Sequence, residues 1–115
     1  MNPLEVTVPD NKEFDVVGMG LNAVDYLCVV PHFPLYDSKM RMSAFAKEGG
    51  GQVATALVTC SRLGLKTRYV GKVGSDEMGL FSKESIRKDD VDVSHIIVQE
   101  GARNQFAFIL VDAHT

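Results

Sequence analysis

The chain has 115 residues, of which 45% are hydrophobic and 23% charged, enough for one domain or part of one with an ordinary core. A formal net charge of −3 offers no basic face for nucleic acid, and no apolar run nears the roughly 20 residues that span a bilayer. Cys28 and Cys60 lack CxxC spacing, and the first ten residues lack a basic start and hold Pro3 and Pro9, so the chain reads as reduced, cytoplasmic and without a signal peptide.

Residues 1–13 read as a polar leader. Residues 14–20 form a short apolar run ending in Gly18-Met19-Gly20, the pattern of a buried strand and turn. A second β-prone run covers 26–30, closed by Pro31 and Pro34; residues 31–38 are a loop and 39–47 are extended. Gly49-Gly50-Gly51 then leads into a predicted helix over 52–63. There Val53, Ala56, Leu57, Cys60 and Leu63 recur at spacings of three and four, burying one face, and Gly64 ends the helix. Residues 67–73 read as a strand, with Gly71 and Gly74 leading into a turn. Asp76 caps a second helix to about Lys88, with Gly79 weakening its first turn. Late in that helix Lys83, Arg87 and Lys88 complement its dipole, and Glu84 stands four residues before Lys88.

A connection over 89–94, a short strand over 95–98 and a strand over 106–111 complete the order β, β, β, α, β, α, β, β. Strands alternating with helices predict a parallel α/β sheet. The extra strands around 26–47 and 106–111 predict an antiparallel accessory sheet. Residues 111–115 read as a strand running into a turn, the pattern of a truncated chain rather than of a domain end.

Three glycines in a row carry an entropic penalty, which close approach of the backbone to a ligand explains best. The helix start that follows adds open N–H groups and a partial positive charge, suiting a ligand rich in oxygen. Asp25 stands in an apolar stretch five residues after Gly20. It either caps a turn or accepts hydrogen bonds from ligand hydroxyls at the C-terminal end of a strand, where open α/β sheets bind. Gly18-x-Gly20-x-x-Ala23 meets the loose dinucleotide pattern, but β-prone residues follow where a helix is required. His32, His95 and His114 lack metal-ligand spacing, and no nucleophile–base arrangement or Walker A sequence is present.

Residues 15–25, 48–64 and 69–79 together resemble the N-terminal part of the ribokinase-like (PfkB-type) carbohydrate kinases, over about residues 14–112. The motifs that carry the likeness are Gly50-Gly51, Arg62-Leu63-Gly64, Gly71-Lys72-Val73-Gly74-Ser75-Asp76 with Gly79, and Val91-Asp92-Val93-Ser94. The resemblance implies the N-terminal part of a doubly wound α/β domain over residues 14–115, with a small β-sheet lid that often serves as a homodimer clasp. It implies that Asp25 grips sugar hydroxyls, that Gly50 and Gly51 approach the sugar, and that Asn104 reaches its open side. Thr55 falls where many members have a substrate-contacting asparagine. The run from Gly49 to Ala56 is similar to that of sulfofructose kinases.

The intact family enzyme uses ATP and Mg²⁺ to phosphorylate a sugar hydroxymethyl group, with its catalytic aspartate in a Gly-Ala-Gly-Asp motif of the C-terminal half. No such motif occurs here. The resemblance therefore implies no catalytic residue in this chain, no phosphoryl transfer by it alone and no ATP or Mg²⁺ bound to it. A nucleoside kinase of the adenosine type, or a non-catalytic sugar-binding or dimerisation module, are the alternatives.

Overall fold

The computed structural model describes residue 7 and residues 9–114; most of the expected leader lies outside them. Eight elements follow in the expected order: β1 (Val16–Met19), β2 (Ala23–Val30), β3 (Ala44–Gly50), α1 (Gln52–Arg62), β4 (Thr67–Gly74), α2 (Glu77–Arg87), β5 (Asp92–Gln99) and β6 (Phe106–Asp112). They build two three-stranded sheets, β1-β4-β5 and β3-β2-β6. The first is parallel throughout. The second is mixed rather than antiparallel, because β2 pairs antiparallel with β3 but parallel with β6.

α1 buries Ala54 and Leu57 against Tyr69 and Val73 of β4, where Ile86 of α2, Val91 and Ile96 join them. Of the expected stripe, Val53 and Cys60 are half-buried while Ala56 and Leu63 are exposed, because the face turned to the sheet centres on Ala54 and Leu57. Both helices thus cover one face of the parallel sheet. On the other face Val17, Met19 and Ile97 stand 58%, 79% and 56% exposed. Purely parallel sheets in α/β proteins are covered on both faces, so this chain builds one covered face of a doubly wound sheet. Cys28 is buried, Cys60 half-buried, and both are free thiols. Among the described residues no helix is long and apolar enough to cross a membrane.

Several boundaries differ from the sequence expectation. β5 begins at Asp92 because Asp92 pairs with Arg68 before a bulge resets the register at Val70. Glu84 pairs with Arg87, at 2.6 Å, instead of Lys88. β2 begins at Ala23, so the helix that a dinucleotide site requires after that residue is a strand.

Asp76 joins the two sheets. One carboxylate oxygen caps α2 by accepting the Gly79 N–H at 2.9 Å, and both accept the Asn104 N–H at 3.2 and 3.1 Å. Ser75 Oγ accepts the Gly101 N–H at 2.9 Å. The turn after β4 therefore pins the loop that delivers β6 alongside β2. Asp76→Ala is expected to lower the unfolding free energy by about 2–3 kcal/mol: about 1 from the lost cap and the rest from the stranded Asn104 N–H. A shifted urea midpoint at unchanged m-value is the readout; a loss confined to a few tenths would mean that water replaces the carboxylate.

Candidate functional site

Strand alternation sorts β2 into two faces. Val24, Tyr26, Cys28 and Val30 point one way; Ala23, Asp25, Leu27 and Val29 point the other. The first face is anchored. Tyr26 stacks on Phe45 and Phe108 with ring centroids 5.7 and 5.1 Å apart, and its hydroxyl reaches Met78 Sδ on α2 at 3.0 Å. Lys47 pairs with Glu77 at 2.9 Å and lies 4.4 Å from the centre of the Phe81 ring. These contacts hold the β3-β2-β6 lid on α2 and leave the Asp25 face free.

Asp25 is the third residue of β2 and pairs in register with Glu48 on one side and Ala107 on the other. It therefore lies near the start of a lid strand, not at a C-terminal strand end as the sequence suggested. The reason is that β3 extends through Gly49 and Gly50, which pair with Val24 and Ala23. Two of the three glycines are thus strand residues rather than a connecting turn. The missing side chain of Gly50 makes room for the carboxylate, since a Cβ there would stand 2.2 Å from Asp25 Oδ2. Asp25 is half-buried, yet among the described residues no hydrogen bond or ion pair reaches its carboxylate.

Gly51 follows with φ 96° and ψ 137° and begins α1 without a side-chain cap. The Ala54 N–H donates to Leu21 O at 3.2 Å and the Thr55 N–H to Gly51 O at 3.0 Å. The start of α1, with its unsatisfied N–H groups and positive dipole end, lies one residue from the glycine that shelters Asp25. Beneath it, the Tyr69 hydroxyl donates to Gly20 O at 2.5 Å and ties down the turn after β1. Burial raises the Tyr69 pKa above the usual phenol value, so it remains a donor at neutral pH. A hydrogen-bond acceptor without a partner, beside open donors, is an arrangement for a ligand with several hydroxyls.

Asp25, Gly50 and Gly51 come together, whereas Thr55 and Asn104 lie in flanking cavities. Thr55 is exposed one turn into α1 and lines a groove of 260 Å³ between the helices, with Glu48, Gly49, Arg62 and Ser85. Asn104 is only 8% exposed. Its Oδ1 accepts the Gly74 N–H at 3.2 Å and its Nδ2 donates to Gln105 O at 3.1 Å. The sequence reading gave this amide an outward reach; the structure commits it to the main chain, as a brace at the entry to β6. Asn22 was not singled out from sequence. It too is 8% exposed, donates from Nδ2 to Ser82 O at 3.4 Å and leaves Oδ1 without a partner. A polar residue between Leu21 and Ala23 in an apolar stretch was the available signal.

Residues 14–115 match the model of the pfkB family carbohydrate kinases. The chain is 31% identical over 106 residues to the 5-dehydro-2-deoxygluconokinase of Bacillus subtilis, a match covering 91% of this chain and 31% of that protein. It is 37% identical over 100 residues to probable fructokinase-2 of Arabidopsis thaliana, covering 87% and 29%. Among solved structures, an uncharacterized sugar kinase from Pyrococcus horikoshii in complex with ATP is similar with a TM-score of 0.70 at 28% identity, over 86% of this chain and 31% of that one. The chain thus spans less than a third of the length of these curated relatives.

Proposed function

Since this chain belongs to the pfkB family of carbohydrate kinases, we propose that it carries the sugar-gripping and lid half of an enzyme that phosphorylates a sugar hydroxymethyl group with ATP. The observation that carries this reading is the half-buried, unpartnered carboxylate of Asp25, sheltered over Gly50 beside the open start of α1. In this proposal Asp25 accepts hydrogen bonds from two sugar hydroxyls, Gly50 leaves room for its carboxylate, and Gly51 lets the chain pass close to the Leu21–Asn22 main chain into α1. Thr55 stands apart, in the groove between the helices, and Asn104 holds the start of β6 in place. The relatives named for 5-dehydro-2-deoxygluconate and fructose support a polyhydroxylated substrate. The nucleoside alternative has no comparable support from them.

In this proposal no residue of this chain holds the nucleotide or its magnesium. Among the described residues no cluster of His, Cys, Asp or Glu is placed to hold a metal ion. The space beside Gly50 and Gly51 is filled by the Asp25 carboxylate and the Leu21–Asn22 main chain, where a triphosphate would meet a negative group. The chain's own task is to bind and orient the sugar, and alone it is expected not to form ADP in a sugar-dependent way. The domain then comprises residues 14–115 with β3-β2-β6 as lid, in a cytoplasmic protein. Two copies pairing through the open edges of β3 and β6 would cover Phe45, Phe106 and Phe108, which are 54%, 50% and 68% exposed.

A thermal-shift series with fructose, ribose, 5-dehydro-2-deoxygluconate and adenosine tests this reading. A ligand of the folded form stabilises it by about 2.7 kcal/mol at a hundredfold excess over Kd. A sugar should raise the Tm, and Asp25→Asn should weaken that sugar at least about tenfold, because charge-assisted bonds become neutral ones. A response to adenosine alone would favour the nucleoside reading. No response to any sugar, or one unaltered in Asp25→Asn, would overturn the proposal.

A further inference from the structure

Among the described residues three buried side-chain oxygens lack a hydrogen-bond partner: Asn22 Oδ1, Ser82 Oγ and Thr67 Oγ1. Thr67 lies at the start of β4. Asn22 and Ser82 meet each other, because Asn22 Nδ2 donates to Ser82 O at 3.4 Å across 60 residues of chain. Asn22 is 8% exposed and Ser82 0%. An unpaired polar oxygen is unfavourable at that depth, and two of them on one contacting pair call for a shared partner.

Neither oxygen has a remedy within its own residue. Turning the Asn22 amide over would set Oδ1 against Ser82 O, acceptor against acceptor. That carbonyl also accepts from Ser85 Oγ at 2.8 Å. A helical serine can give its hydroxyl proton to the carbonyl one turn back, but Ser82 Oγ makes no such bond. The place is the junction between the two sheets, since Asn22 closes the turn after β1 and immediately precedes β2. In that turn the Tyr69 hydroxyl holds Gly20 O, and Leu21 O holds the Ala54 N–H of α1. Asn22 is the third tie, to α2, three residues before Asp25. It also lines a cavity of 330 Å³ with Leu21, Gly74 and Asn104, which gives water a path to the amide.

We propose that one ordered water molecule is a fixed part of this junction, accepting from the Ser82 hydroxyl and donating to Asn22 Oδ1. The chemistry selects water. Oδ1 only accepts, so its partner must donate, and the same small, neutral partner must also take the serine proton. The water turns a long amide–carbonyl contact into a two-point link between α2 and the strand that carries Asp25.

Urea denaturation of Ser82→Ala in the full chain reads the sign. Were the hydroxyl simply orphaned, its removal would delete a desolvated group and install a better helix former, and the midpoint would rise. With the water in place, the variant loses one of its anchors and weakens the service to Oδ1, so the midpoint is expected to fall at unchanged m-value. A midpoint that rises or does not move overturns the inference. A crystal structure of the wild-type chain supplies the second reading: a water is expected about 3 Å from both Asn22 Oδ1 and Ser82 Oγ. A direct bond between those two oxygens, or no water touching both, overturns the inference even if the midpoint falls. Should Ser82→Ala fail to fold, the crystal structure decides alone. Neither reading involves a sugar, so the result stands apart from the role of Asp25.

Discussion

Gly79→Ala is expected to destabilise the chain by about 3 kcal/mol or more, although helix propensity alone would favour alanine by about 1 kcal/mol. Gly79 is the third residue of α2 and is buried. A Cβ there would stand 1.9 Å from Gly74 O and 2.6 Å from Gly74 C. Both are main-chain atoms at the end of β4, so no side chain can swing aside. The helix would have to move, carrying Met78 and Glu77, which hold Tyr26 and Lys47 of the lid. It would also strain the Asp76 cap, which bonds the Gly79 N–H itself. Urea denaturation of the variant decides the sign, and a gain in stability would show that α2 is not seated as closely as the structure has it.

Gly51→Ala is expected to cost a similar amount and to remove the sugar response as well. Its backbone at φ 96° and ψ 137° lies where side-chain-bearing residues are strained by about 1–3 kcal/mol. The added Cβ would also stand 2.5 Å from Leu21 O and 2.9 Å from Asn22 Cα. Leu21 O is the acceptor that holds the Ala54 N–H at the start of α1. Relief of the overlap therefore moves the helix start relative to Asp25. Gly64→Ala is the control, because Gly64 has φ 90° but nothing within 4 Å of an added Cβ. It should lose only the strain, about 1 kcal/mol. Equal losses in the two variants would mean that close approach to the Leu21–Asn22 segment contributes nothing at Gly51.

The element order, the helical character of α1, the Asp76 cap and the end of α1 near Gly64 were legible in the sequence, whereas the buried face of α1 centres on Ala54 and Leu57 and leaves Ala56 and Leu63 exposed. Each is encoded within a few residues, by the 3.6-residue repeat, a capping side chain or a glycine at a helix end. The motifs around Gly50-Gly51 and Gly74–Asp76 likewise marked the family, and Asp25 and the glycines were singled out as the site. Their surroundings were not legible. Nothing local states that Asp25 lies over Gly50, twenty-five residues away, or that Gly49 and Gly50 are strand residues paired with Val24 and Ala23. The parallel pairing of β6 with β2, the commitment of Asn104 to Gly74 and Gln105, and the exchange of Lys88 for Arg87 as the partner of Glu84 are of the same kind. Local periodicity and capping chemistry determined which segments became helix and strand. Strand register, side-chain room and hydrogen-bond partners depend on segments far apart in the chain, and only their packing together decided those.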